Sequence, residues 1–210
     1  GIPTAMTQVS GLPPVQGLVS ATLTPGFCAL AVSDSSAWCW QFGGIAQQVP
    51  GALHFAALAM EGKYYGSSAG PRVRVCGLLA DSTAACWGPG PLGDGSAGSS
   101  DTPVIVTGGH HFVQIAAGSG FACGRTSGGE VWCWGVTQSG REVLVPELAT
   151  TGVSQIAAHE NYVFLLNPSG VLRGVGAGIE GLEPLYGLES VPVERFTDTH
   201  AFCLQLAGSE

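Results

Sequence analysis

The chain repeats itself, and that limits its fold more than any single motif does. QIAAGSGFACGRTSGGEVWCWG, from Gln114, aligns without a gap onto QIAAHENYVFLLNPSGVLRGVG, from Gln155. RVCGLLADSTAACWG (74–88) and GFCALAVSDSSAWCW (26–40) are earlier copies, and THAFCLQL (199–206) starts another. The leading cysteines are Cys28, Cys76, Cys123 and Cys203, with Phe164 holding the place in the fourth copy. A period of roughly 40 to 48 residues, rich in glycine and tryptophan, is that of a propeller blade of four short strands. Such a unit cannot bury both faces alone and is stable only when stacked on its neighbours. We therefore expect an all-β propeller over 1–210, with hairpins near 26–40, 74–88, 121–135 and 162–176 and a partial unit from about 195.

Composition agrees with many tight turns and little charged surface. Of 210 residues, 33 are glycine and 13 proline, whereas 45 % are apolar and only 10 % charged. No window shows sustained helical periodicity with capping signals. The net charge is −8 and Lys63 is the sole lysine. A nucleic-acid binder needs a basic stripe to displace counterions from phosphates, and none is present. The same deficit argues against anionic membrane surfaces, and no apolar run is long enough to span a bilayer. The opening GIPTAMTQVS lacks a basic-then-apolar leader, so any signal peptide is expected to have been removed or to lie outside this sequence.

The third copy shows what its cysteines are for. Ala122–Arg125 and Val131–Trp134 read as strands around the turn TSGGE, and pairing about Gly128 sets Cys123 directly opposite Cys133. Directly opposed residues on antiparallel strands lie within disulfide range. Side chains alternate faces, so Trp132 and Trp134 point away from Cys133, toward a neighbouring blade. Zinc knuckles place two thiolates two to four residues apart, and these pairs are ten or eleven apart. Free core thiols and redox sites are the competing readings. The fourth copy favours a bond, because Phe164 and Gly174 replace both members together. We expect disulfides at Cys28–Cys39, Cys76–Cys86 and Cys123–Cys133, each contributing somewhat under about 3 kcal/mol on the chain-entropy account. Three bridges imply an oxidising compartment, and hence a secreted or extracellular protein. Cys203 is unpaired, since its mate would fall just past the end, so we expect a chain cut from a longer protein at both ends. The rival expectation, two ends meeting in a fifth blade, leaves that cysteine unexplained.

CWGPGPLGDG (86–95) and TPVIVTGGHHFVQIAAGSGFAC (102–123) resemble the regulator-of-chromosome-condensation repeat, whose hairpin runs roughly H-x-C-A-L-x-x-D-G-x-x-x-C-W-G-x-N-x-x-G-Q-L-G. The cysteines make the chain most similar to the subtype in the ectodomains of Crinkly-type plant receptor kinases and in secreted microbial repeat proteins. The resemblance covers nearly the whole chain and implies a β-propeller, commonly of seven blades, that binds partners through its rims. Only about four hairpin units are visible here, a partial ring. Nuclear members carry basic surfaces and do not pair cysteines this way, so their exchange-factor activity does not carry over.

Other motifs dissolve into the repeat. Gly176, Gly178 and Gly181 form a Gly-x-Gly-x-x-Gly, but no helix pattern follows to hold a pyrophosphate, and Gly88/Gly93 and Gly135/Gly140 show the same spacing. GSSAG (66–70) resembles a nucleophile elbow around Ser68, yet it sits in a Gly/Ser-rich insertion without the strand and helix that an elbow needs. His110 and His111 are adjacent, would face opposite ways on a strand, and suit a surface turn better than a metal. Asp94 fits a tight Asx bend. No carboxylate pair suggests acid–base chemistry. Asn161 and Asn167 lie outside any glycosylation sequon.

We therefore expect a binding or recognition propeller rather than an enzyme, with no cofactor, no metal and no nucleic-acid partner. Blade-specific residues are the best binding candidates, because the hairpin cores are generic. They fall in the insertion EGKYYGSSAGPR (61–72), read as an exposed loop carrying Lys63, Tyr64, Tyr65 and Arg72. A structural subunit of an extracellular assembly is the alternative, and an enzyme-inhibiting propeller a distant one. A membrane-anchored kinase downstream would favour the recognition reading, and a permanently bound equimolar neighbour the structural one.

Overall fold

Each repeat folds as one antiparallel sheet whose strands follow chain order. The computed structural model describes residues 9–21, 26–41, 43–64, 71–176, 182–184, 193–197 and 203–206. The first sheet holds β1 (Val15–Ser20), β2 (Gly26–Ala31), β3 (Ala37–Gln41) and β4 (Gln47–Gln48). The second holds β5 (Phe55–Tyr64), β6 (Pro71–Leu79), β7 (Ala84–Gly88) and β8 (Ser100–Ile105). The third holds β9 (Phe112–Gly118), β10 (Phe121–Thr126), β11 (Val131–Val136) and β12 (Glu142–Thr150). In the fourth are β13 (Gln155–His159), β14 (Tyr162–Leu166), β15 (Leu172–Gly176) and β16 (Leu182–Pro184), and β17 (Val193–Thr197) pairs with β18 (Cys203–Leu206). β5 packs against β1 and β2, β9 against β5 and β6, and β13 against β9 and β10. The first strands thus stand side by side and the later strands fan outward, which makes each sheet a propeller blade.

Cysteine register is uniform. Cys28 opposes Cys39, Cys76 opposes Cys86 and Cys123 opposes Cys133, and each pair is a disulfide with Cα atoms 4.1 Å apart. The fourth blade keeps the register with other residues: Phe164 lies directly opposite Gly174. The paired loss of both cysteines follows from that opposition. Cys203 opens β18, opposite Thr197.

The two faces of a blade bury against different neighbours. Cys76 and Cys86 share a cluster with Phe112, Ile115 and Trp134 of the third blade. Cys123 and Cys133 share one with Ile156, Val163 and Leu165 of the fourth. Trp87, from the opposite face, joins Cys28, Phe55 and Met60. Trp134 is 1 % exposed, and truncating a tryptophan so buried costs about 3–5 kcal/mol. Trp132 is only half-buried and stacks on His110, ring centroids 4.0 Å apart.

Backbone stitching gives the first QIAA glutamine, Gln114, its role. The Gln114 amide donates to the Ile156 carbonyl at 2.6 Å and accepts the Ile156 N–H at 3.0 Å. One side chain therefore satisfies two main-chain groups of the next blade. A second repeated device is a phenylalanine lying over a glycine. A Cβ on Gly124 would meet the Phe112 ring at 2.5 Å, and Gly77 lies under Phe55 in the same way. Both pairs sit one residue beyond the first cysteine of their blade.

Candidate functional site

Because strands alternate direction, the β5–β6, β9–β10 and β13–β14 turns share one rim, here the upper, with the β3–β4, β7–β8 and β11–β12 connections. The hairpin turns around the cysteine pairs form the lower rim. On the upper rim the blades are unequal. β9 turns into β10 at Ser119–Gly120 and β13 into β14 at Glu160–Asn161, whereas β5 and β6 stay paired through Lys63 opposite Arg72 and Tyr64 opposite Pro71. The insertion is thus a lengthened hairpin as far as Tyr64 and Pro71, not the plain loop its composition suggests. Its Gly/Ser/Pro content reads as a turn, but the flanking residues gain cross-strand hydrogen bonds that hold them extended. Tyr65 and the Ser68 motif lie outside the described residues.

The root of this hairpin is a buried polar knot joining three blades. Glu61 (4 % exposed) and Arg74 (2 % exposed) are directly opposed on β5 and β6. One Glu61 oxygen accepts the Gly62 N–H at 2.8 Å, and the other accepts the Glu160 N–H at 3.4 Å and lies 3.9 Å from His159 Nδ1. Ser119 donates its hydroxyl to the Gly62 carbonyl at 3.1 Å and its N–H to the Glu160 carbonyl at 2.6 Å. The Arg74 guanidinium donates to the Pro89 carbonyl at 2.8 Å. Buried polar groups persist when hydrogen-bonded, and here main-chain N–H and carbonyl partners of three blades fix the base from which the hairpin projects. Sequence reading passed over Glu61, Arg74, Ser119 and His159. The available signal was a charge, Glu61 or Arg74, next to the apolar run of each strand, FAALAM and VCGLL.

Lower-rim residues are structural. Asp34 accepts the Ser36 N–H at 3.0 Å and its hydroxyl at 2.8 Å, and these bonds hold its carboxyl below the ordinary 3.8. Asp81 is lowered in the same way by the Thr83 hydroxyl and N–H. Beside them, the Nδ1–H of His54 donates to the Asp34 carbonyl and that of His111 to the Asp81 carbonyl. Each histidine thereby ties the start of one blade to the cysteine hairpin of the blade before. His110 instead lies over Trp132 and Phe112, and that burial lowers its pKa, with Glu130 partly opposing. Asp94 makes the Asx bend, accepting the Ser96 N–H at 3.0 Å. Gly176 ends β15 under the Gln138 side chain, and the other glycines of its motif lie outside the described residues. Among the described residues no three His, Cys, Asp or Glu side chains gather in a metal-holding group.

Comparison with known proteins agrees with this geometry. The regulator of chromosome condensation (RCC1) repeat matches residues 112–141, which span the third blade from β9 to the end of the β11–β12 connection. The fold is similar to that of yeast RCC1 (Prp20) in its complex with Kap60, with a TM-score of 0.65, 16 % identity, and coverage of 85 % of this chain and 51 % of that one. Human WBSCR16 gives a TM-score of 0.60 at 17 % identity, covering 83 % and 52 %. The CRINKLY WD40 ectodomain of the Arabidopsis thaliana receptor kinase ACR4 gives 0.51 at 22 % identity, covering 82 % and 54 %. The chain spans about half the length of these solved propellers. No curated protein sequence matches it significantly. The protein is a β-propeller with an RCC1-type repeat in its third blade and a fold similar to that of RCC1.

Proposed function

We propose that this propeller is a secreted or extracellular protein-binding module, not an enzyme, and that the β5–β6 hairpin carries its recognition surface. The observation behind the reading is the asymmetry of the upper rim. One blade extends its inner hairpin past the turns at Ser119–Gly120 and Glu160–Asn161, and does so from a buried, hydrogen-bonded root. Lys63, Tyr64 and Arg72 belong to that extension and Tyr65 follows it in sequence, and tyrosine and arginine are among the residue types that most often anchor interfaces. Three disulfides suit an oxidising compartment. Propellers of similar fold include a receptor-kinase ectodomain and an RCC1 caught in complex with a protein partner. A net charge of −8 suits a protein partner better than a nucleic acid.

Site-specific photocrosslinking tests this directly. A crosslinking residue is placed at Tyr64, or at Ser127 on the opposite rim, and the protein is secreted by its own host. A discrete adduct from Tyr64 alone, lost when 63–72 is shortened to Ser-Gly, is the expected result. Equal adducts from both rims, or none from Tyr64, would contradict it.

A further inference from the structure

Where the second and third blades meet, the β7–β8 connection closes the upper end of a seam that holds a disulfide. Leu92 is 1 % exposed and shares one apolar cluster with Cys76, Cys86 and Trp134. Next to it, Gly93 (φ +87°) lets the chain pass so close to Trp134 that an added Cβ would lie 2.7 Å from Cδ1. That connection runs over 89–99, whereas its counterpart between β3 and β4 covers only 42–46. Ile45, at the same offset from Cys39 as Leu92 from Cys86, stands 68 % exposed. The seam between the first and second blades consequently keeps a pocket of about 450 Å³, lined by Cys28 and Cys39 of one blade and by Met60, Val75 and Trp87 of the next. That volume is within the range of small-molecule sites, roughly 300–1,000 Å³.

The three disulfides share one register but not one exposure. Cys76, Cys86 and Cys123 are 0 % exposed and Cys28 and Cys133 are 1 % exposed, whereas Cys39 is only partly buried. Thiol–disulfide exchange requires a thiolate to reach a sulfur of the bridge, so access decides which bridge reacts and which of its two sulfurs is attacked. The pocket brings an attacker to Cys39. Cys28 lies deeper, in the cluster with Leu30, Met60 and Val75. A small thiol fits a recess of this size, and none of the enclosed bridges has such an approach.

We infer that Cys39 is a modification site, at which a low-molecular-mass thiol reversibly opens the disulfide of the first blade while the other two stay closed. The small thiol loses its proton to water, and its thiolate attacks Cys39 Sγ. A new S–S bond forms there, the Cys28–Cys39 bond breaks, and its electron pair leaves on Cys28 Sγ, which takes a proton from water. One disulfide is thereby exchanged for a mixed disulfide, with no net oxidation or reduction. Attack by the Cys28 thiol on Cys39 expels the small thiol and restores the bridge. None of this depends on the role of the β5–β6 hairpin. The test starts from native protein in which peptide mapping finds all three bridges. It is treated with 2-mercaptoethanol, quenched with an alkylating reagent at intervals and mapped by mass spectrometry. Alkylated Cys28 and Cys39 should appear about tenfold faster than the other four bridged cysteines, or faster still, because an enclosed bridge reacts only after local opening. Cys28→Ser removes the thiol that restores the bridge, and in that variant 2-hydroxyethyl disulfide should label Cys39 while Cys76–Cys86 and Cys123–Cys133 remain linked. Equal rates at the three bridges, faster opening of either enclosed one, or an unlabelled Cys39 in Cys28→Ser with the other two bridges intact would overturn the inference.

Discussion

Gln114 shows how one residue can bind two blades. Its amide meets both the N–H and the carbonyl of Ile156, so removing it leaves two main-chain groups without partners. Gln114→Leu should lower the unfolding free energy by about 2 kcal/mol, read from denaturant melts with the disulfides intact. A loss within the scatter of ordinary surface substitutions, about 0.5 kcal/mol, would mean that the clamp is not formed. His110 gives a titration to match. Burial over Trp132 lowers its folded pKa below the ordinary 6.5, so the unfolded chain takes up the proton first. Stability is therefore unaffected above that value and falls as pH drops from 6.5 toward the folded midpoint. An NMR titration should place His110 below 6.5 and move it back toward that value in Trp132→Ala; a midpoint at or above 6.5 in the native protein would refute the packing. At more acid pH, Asp34 and Asp81 act in the same direction. Their lowered pKa values support folding at neutral pH, and that support is lost as pH falls past the usual 3.8.

At the scale of the element, the cysteine hairpin was the most legible part of the sequence. Symmetry about Gly128 is enough to set Cys123 against Cys133, because antiparallel register follows from the turn alone. The same logic extends to the blade that lacks cysteines. Phe164 and Gly174 occupy the opposed position, so Phe164→Cys with Gly174→Cys should form a new bridge, seen as a linked peptide under non-reducing conditions. Two free thiols in that variant would show a register different from the other blades. The lengthened β5–β6 hairpin was less legible. Lys63 and Tyr64 precede a Gly/Ser-rich run that reads as loop, and only the partner strand, beginning at Pro71, makes them extended. The knot beneath it was not legible either. Glu61 meets Glu160 and His159 across 99 and 98 positions of chain, a distance that no local pattern reports. The faces of the tryptophans were readable from alternation, but their burial was not. Trp134 is enclosed because Leu92 and Gly93 arrive from the preceding blade, whereas Trp132 lies at the cluster edge against His110, its indole N–H donating to Glu130.

Across the whole molecule, the repeat accounts for the fold and its departures point to the function. Cysteine pairs bridge the middle strands of three blades, while the buried tryptophans and the Gln114 clamp hold blade to blade. The hairpin at 61–72 and the open seam at Ile45 do not recur, and for that reason they are the places where this propeller differs from a generic stack. The central claim is a disulfide-bonded propeller working outside the reducing cytosol. Non-reducing peptide mapping of protein taken from its native source, alkylated before lysis, tests it most directly. The account predicts the three linked pairs Cys28–Cys39, Cys76–Cys86 and Cys123–Cys133. Recovery of those six cysteines as alkylated free thiols would contradict it.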